Sequence, residues 1–218
     1  MLTKEQAIKT VLASIIEANK KQAEMSGGWW LTDAGVESII QYVCAQRMHK
    51  VLQKQNGGGN VYLECNMAEV LNDSAAQKQP GRIPKNIDGS KRIDIVVSDA
   101  NGNPIIPIEI KKNTSDPGFI KDAERIFTLL SRADTQKKGS LKYGIICAFS
   151  HGNGNTDEIA QKRLNDKIVN TKKRLKASFP DECFELHHTT EKSEYFDEYG
   201  YWAAGAVCVY LRRKRESG

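Results

Sequence analysis

The sequence predicts an α/β protein in which helices flank a mixed central sheet. Apolar residues alternate on both sides of an Asn101-Gly102 turn signal between residues 91 and 112, which indicates a β-hairpin. Further strand patterns lie at 61–65 and 142–149, and apolar residues with helical spacing lie before and between them. Together these patterns give the order αβββαβ over a core of residues 32–149, with an N-terminal helix before it and a helix and strands after it.

Length and composition indicate one domain over residues 1–218, with residues 150–218 as a C-terminal extension. The chain has 39% hydrophobic and 27% charged residues, which is typical of a soluble globule with a sizeable core. The sequence has neither a bilayer-spanning apolar run nor a signal-peptide core, so we expect a cytoplasmic protein without a membrane partner. Five scattered cysteines predict neither disulfides nor a zinc site. The net charge of +5 favours a polyanionic partner.

Two helices are predicted before the first strand. Thr3 and Gln6 form a capping-box pattern at the start of a helix over residues 3–24. A second helix is predicted from Thr32, with Glu37 at the edge of its apolar stripe. From that edge Glu37 reaches toward the sheet, and an ordinary surface position is the alternative.

The strand at 61–65 carries Glu64, a lesser candidate acid, and leads into a polar connection over residues 72–90. Long connections of this kind are either functional or disordered. We therefore keep two interpretations of residues 72–90, a contact with substrate or a partner subunit and a disordered insertion.

The hairpin brings candidate catalytic residues together. If Asn101 and Gly102 form a two-residue loop, Asp94 faces Glu109 across the ladder, and Lys111 projects to the same side as Glu109. Two facing carboxylates are destabilising unless a cation lies between them, so the pattern predicts a divalent metal ion. Pro107 would interrupt the ladder, and we expect a bulge or an edge position near it.

Beyond the hairpin, a helix is predicted to begin at residues 115–117 and a buried strand to span 142–149. Thr156 is predicted to cap a long helix that ends near Ser178, with acidic residues at its start and basic residues at its end. The tail over residues 182–214 has largely strand-like patterns.

The chain resembles the PD-(D/E)XK nuclease superfamily, which has the restriction endonuclease-like fold. The resemblance rests on Asp94 in RIDIVV, on Glu109 and Lys111 in IEIKK, and on the order of the elements. Ile93 stands where the family name has a proline. The resemblance covers roughly residues 32–149. The glutamine and tyrosine that mark the RecB-type branch after the lysine have no clear counterpart here, so that subgroup is not claimed.

The resemblance implies a role for each matched position. Asp94 and Glu109 are expected to bind the metal, with the main-chain carbonyl of Ile110 as a third ligand. Lys111 is expected to orient or activate the attacking water. Glu37 matches the helix acid that many members of the superfamily add to the metal site, and Glu64 is a weaker substitute for it.

These roles predict an endonuclease that depends on Mg²⁺, with Mn²⁺ as a substitute, and hydrolyses phosphodiester bonds in DNA more readily than in RNA. The expected context is restriction or phage defence, and cutting both strands favours a homodimer. Two alternatives remain open. One is a catalytically inactive nucleic-acid-binding or assembly subunit with the same fold. The other is a solvated ladder of opposite charges on an exposed sheet face.

Overall fold

The fold contains both helices and strands. The computed structural model describes residues 2–31, 37–55, 58–74, 84–87, 90–135, 138–196 and 200–213. The helices are α1 (Lys4–Ser26), α2 (Glu37–Lys54), α3 (Met67–Ser74), α4 (Gly118–Ala133) and α5 (Asp157–Ser178). The strands are β1 (Val61–Asn66), β2 (Arg92–Ser98), β3 (Pro104–Lys111), β4 (Gly144–Gly154), β5 (Phe184–Thr190), β6 (Glu194–Phe196) and β7 (Gly200–Leu211). Short 3₁₀-helices lie at Lys85–Ile87 and Asp181–Cys183.

The described strands form one seven-stranded sheet in the order β1-β2-β3-β4-β7-β5, with β6 paired to β7. Only β3 and β4 run parallel among these pairs, and the other neighbours are antiparallel. The prediction of a mixed sheet flanked by helices is therefore confirmed. The C-terminal segment belongs to the same sheet, because β7 pairs with β4 over the whole length of β4.

Apolar side chains fill a core on each face of the sheet. One core packs α1 and α2 against residues such as Ile95, Ile108 and Cys147, and the other packs α3, α4 and α5 against residues such as Val96 and Ile146. The sheet is therefore the middle layer of three. Among the described helices, none combines the length and apolarity that a bilayer crossing demands.

Both predicted helix caps that lie in described residues are present. The Thr3 side chain accepts from the backbone N–H of Gln6, and the Gln6 side chain accepts from the backbone N–H of Thr3, as the capping box requires. The Thr156 hydroxyl accepts from the N–H of Ile159 at 3.3 Å and starts α5. The predicted start of the second helix at Thr32 lies outside the described residues.

The hairpin has the predicted register but a different turn. Ile95 pairs with Ile108 and Val97 with Ile106, as counting outward from the Asn101-Gly102 turn predicted. Closer to the turn Ser98 pairs with Pro104, so Ile105 is an extra residue in β3 and forms a bulge. The predicted two-residue loop is wrong, since the Asp99 carboxylate accepts from the N–H groups of Asn101 and Asn103 and stabilises a longer turn.

The alternation in β2 also breaks at Asp94. We expected Ile93, Ile95 and Val97 on one face, but Ile93 packs into the opposite core from the other two. The register between β1 and β2 places Asp94 opposite Glu64, which has a left-handed backbone with φ of 53°. A non-glycine residue in that region is strained, and the change of face occurs at this irregular pair.

The predicted polar connection over residues 72–90 is partly structured. It overlaps the end of α3, whose buried residues Met67, Val70, Leu71 and Ser74 have helical spacing. Asn66 caps this helix, because its side-chain oxygen accepts from the N–H groups of Ala68 and Glu69. Residues 75–83 and 88–89 lie outside the described part of the chain, so the two interpretations of that segment remain predictions.

Candidate active site

Strands β2 and β3 separate at the position of Asp94. Their ladder ends at the pair Ile95–Ile108, while β2 continues to pair with β1 as far as Arg92. The Asp94 carboxylate occupies the gap, where its Oδ2 accepts from the N–H of Ile110 at 2.6 Å. The two strands are therefore held together at this end by a side chain in place of a main-chain acceptor.

Glu109 is the second carboxyl group in this gap. Glu109 lies one position past the last ladder pair, Ile95–Ile108, as Asp94 does, so the two carboxyl groups are neighbours in the gap. Glu109 is only 2% exposed. Burial, and then the negative charges of Asp94 and Asp122, raise the pKa of Glu109 to about 9. Burial is also the main cause that raises the pKa of Asp94. The pair therefore retains a proton near neutral pH when no metal ion is bound.

Lys111 extends from β3 toward helix α4. Its Nζ lies 2.7 Å from Oδ2 of Asp122, and its side chain is 20% exposed. Burial acts to lower the pKa of Lys111. The hydrogen bond and the charge of Asp122, with smaller contributions from Glu37 and Glu109, together outweigh burial, so the pKa is raised. Lys111 therefore carries its positive charge throughout the neutral pH range.

Asp122 and Arg125 of α4 complete the charge network, and sequence reasoning missed both. Arg125 Nη2 lies 2.5 Å from Oδ1 of Asp122 and 3.2 Å from Oε1 of Glu109. The sequence signal is an acid and a base three residues apart, on the border of the apolar face of a helix that directly follows the hairpin. That spacing is common on exposed helices, and only the packing of α4 on β3 shows that this pair faces the site.

Glu37 and Glu64 flank the site at the edge of the sheet. Glu37 Oε1 accepts from the N–H of Lys112 at 2.7 Å, so Glu37 reaches inward to the end of β3, as one interpretation predicted. Gln41, on the same helix, donates to Glu64 Oε1 and to the carbonyl of Asp94, both at 2.8 Å. Glu64 itself is exposed. Helix α2 thus attaches to both separated strands and fixes the width of the gap between them.

The donor set fits a hard divalent cation. Among the described residues, no group of three or more His, Cys, Asp or Glu side chains is arranged to hold a metal ion. The set predicted here has two carboxyl groups, Asp94 and Glu109, and the carbonyl of Ile110. Because the N–H of Ile110 points to β2, its carbonyl points to the same side. Two carboxylates and a carbonyl suit Mg²⁺ or Mn²⁺, which retain several waters.

A groove of about 980 Å³ lies elsewhere, between α1 and the strand β5. Ile8, Leu12 and Ile16 form its apolar floor, and the ion pairs Lys4–Glu185 and Lys20–Glu191 lie at its rim. None of the candidate site residues lines this groove. The candidate site residues and this groove are therefore on separate parts of the molecule.

The comparisons with known proteins give no relative. No protein-family model matches the chain, and neither the curated proteins nor the solved structures contain a significant match. The function must therefore be argued from the site itself.

Proposed function

We propose that this protein is a Mg²⁺-dependent endonuclease that hydrolyses phosphodiester bonds in DNA, with a PD-(D/E)XK type of site in a restriction endonuclease-like fold. One observation carries the proposal. Asp94, Glu109 and Lys111 lie together where β2 and β3 separate, and the negative charge of Asp94 contributes to the raised pKa of the buried Glu109. The order α2, β1, β2, β3, α4, β4, which α3 and a 3₁₀-helix interrupt within the described residues, also supports the proposed fold.

In this proposal Asp94, Glu109 and the carbonyl of Ile110 hold the metal ion. Bound Mg²⁺ supplies positive charge for the scissile phosphate and lowers the pKa of a coordinated water. The raised pKa of Lys111 supports the first of the two roles that the sequence left open, which is to orient the attacking water. A lysine that remains protonated orients the attacking water and stabilises negative charge in the transition state, and it does not act as a general base.

The charge distribution near the site supports a polyanionic substrate. Arg174 of α5 donates to the carbonyls of Thr114 and Asp116, so α5 lies against the loop that follows β3. The same helix exposes basic side chains that suit contacts with a phosphate backbone: Lys162, Arg163, Lys172 and Lys173. A homodimer remains part of the proposal, because cutting both strands of a duplex requires two sites.

The proposal is tested by incubating supercoiled plasmid, linear duplex, single-stranded DNA and RNA with the protein in Mg²⁺, Mn²⁺ or EDTA. We expect the plasmid to be nicked or linearised only with a metal ion. D94N and E109Q should abolish cleavage, and K111M should reduce it about 10²-fold or more.

The matched controls change exposed residues of the same chemical type. K50M removes an exposed lysine of α2, and D181N removes the exposed partner of Lys176. Both should cleave as the wild type does. Equal cleavage by K111M and wild type would contradict the role of Lys111. DNA binding without any cleavage would favour the catalytically inactive binding subunit instead.

A further inference from the structure

Helix α4 begins against the stem of the candidate catalytic lysine. A Cβ atom at Gly118, the first residue of α4, would lie 3.7 Å from Cε of Lys111 and only 2.9 Å from Oδ1 of Asp116. Asp116 Oδ1 also accepts from the N–H of Gly118 at 2.6 Å. The start of α4 therefore lies at ordinary contact distance from the lysine stem, whereas a side chain at Gly118 would be crowded by Asp116.

One turn later, Asp122 is buried at 4% exposure between two cations. Its two carboxylate oxygens contact different partners, Oδ2 the ammonium of Lys111 and Oδ1 the guanidinium of Arg125. A buried carboxylate is costly unless it is paired and hydrogen-bonded, and here both oxygens are paired. Asp122 thus ties Lys111, and through Arg125 also Glu109, to the rigid frame of α4.

We propose that Asp122 is a positioning residue for Lys111, which it holds in the direction required for the attacking water, while Arg125 links the same helix to Glu109. This inference rests on the proposed endonuclease function and names a further residue of that site. A flexible lysine stem has many rotamers, and fixing the ammonium from α4 removes that freedom before substrate binds.

Two activity measurements test this role. We expect D122N to lower kcat for plasmid cleavage roughly ten-fold or more with little change in KM, since a misplaced group acts on the chemical step. D122E keeps the charge and should recover part of kcat. The control D181N changes an exposed Lys–Asp pair with an Nζ to Oδ2 distance of 2.9 Å and should leave both constants unchanged. Wild-type kcat in D122N, or a change confined to KM, would overturn the proposal.

A measurement without nucleic acid distinguishes this inference from the proposed function. Acylation of each lysine amine, followed by mass spectrometry, reports how firmly the amine is held. D122N should raise the rate at Lys111 roughly ten-fold, the equivalent of one hydrogen bond to a charged group, and D181N should raise only the rate at Lys176. An unchanged rate at Lys111 in D122N would overturn the positioning role.

The two proposals fail separately. A wild-type protein that cleaves no nucleic acid would overturn the endonuclease function, and the acylation rates would still decide whether Asp122 holds Lys111. If D122N does not fold, D122E tests the positioning role of Asp122. A folded D122E with wild-type kcat and a wild-type acylation rate at Lys111 would contradict a dependence on the exact position of the carboxylate, whereas a reduced kcat would support it.

Discussion

The N–H of Ile110 in β3 donates to the Asp94 carboxylate of β2 across 2.6 Å, at the point where the main-chain ladder between these strands has ended. The same gap contains Glu109, which is almost completely buried. A carboxylate that replaces a main-chain acceptor keeps two diverging strands at a fixed separation. The site is thus built into the opening of a hairpin, and its acids are rigid before any metal ion or substrate is present.

The first prediction concerns Glu109 and pH. The ordinary pKa of 4.5 rises to about 9 in the folded protein without metal. Between these values the folded state holds a proton that the unfolded state releases, so stability falls as pH rises, by up to about 1.4 kcal/mol per pH unit. Glutamine does not titrate, and E109Q should therefore lose less stability than wild type between pH 5 and pH 8.5.

Urea denaturation at both pH values measures this difference. The change in the free energy of unfolding with pH is compared, and not its absolute value, because E109Q also alters the contact between residue 109 and Arg125. E185Q is a suitable control, since Glu185 pairs with Lys4 on the surface and its pKa is lowered, mainly by the Lys4 hydrogen bond. If the free energies of unfolding of E109Q and wild type changed equally with pH, Glu109 would be ionised at neutral pH.

The second prediction is that Mg²⁺ stabilises the fold through the same two acids. Binding to the folded state alone adds about 2.7 kcal/mol when the ion concentration is a hundred times Kd. The ion must displace the proton that Asp94 and Glu109 retain, so the rise in Tm should be larger at pH 8 than at pH 6. Calorimetry with Mg²⁺ or EDTA at each pH measures this rise in Tm.

D94N and E109Q should each remove the Mg²⁺-dependent rise in Tm, whereas D181N should retain it. An equal rise in Tm for wild type, D94N, E109Q and D181N would show that the ions bind elsewhere on the surface. A rise that is independent of pH would show that the ion does not compete with the proton of the acid pair.

Part of this site follows from sequence because it depends on local periodicity. Strand residues alternate with a period of two, and counting outward from the Asn101-Gly102 turn signal predicts the register of Ile95 with Ile108 that brings Asp94 and Glu109 together. The turn itself was mispredicted, because the Asp99 side chain competes for backbone N–H groups and stabilises a longer connection. The bulge at Ile105 restores the predicted register beyond it.

The remaining features depend on contacts between distant segments. Asp122 and Arg125 face the site only because α4 packs on β3, and no local pattern separates them from an exposed pair. The change of face at Ile93 depends on the irregular pairing of β2 with β1 near Glu64. Helix α3 is different, since its buried residues and the Asn66 cap were visible in the sequence and could have been recognised.

The third prediction concerns His151, which stacks against Trp202 with ring centroids 5.2 Å apart and against Phe149 at 6.4 Å. Burial, and then the charges of Lys167 and Lys112, lower its pKa to about 4. Below pH 6.5, the ordinary pKa of histidine, His151 becomes protonated in the unfolded chain but stays neutral in the folded protein. The folded state therefore loses stability as pH falls from 6.5 to 4. H151F keeps an aromatic ring and should lose less stability over this range.

Thermal unfolding at pH 7 and pH 4.5 tests the His151 prediction. His49 is exposed on α2, and H49F provides the matched control, which should follow the wild-type pH profile. If H151F and wild type lose the same stability on acidification, other groups account for the acid sensitivity.

The fourth prediction concerns the contact between β4 and α5. A Cβ atom at Gly152 would lie 2.1 Å from the carbonyl oxygen of Ala160 and 2.5 Å from the nitrogen of Leu164, both in the backbone of α5. A helix backbone cannot move aside as a flexible side chain can, so G152A must displace α5 from the sheet. Overpacking of this kind costs about 1–3 kcal/mol or more. At Gly205 on β7 the nearest atom is 3.1 Å away, and G205A should cost less. Urea midpoints rank the two variants, and a G152A midpoint equal to or above that of G205A would show that α5 is not packed this closely on β4.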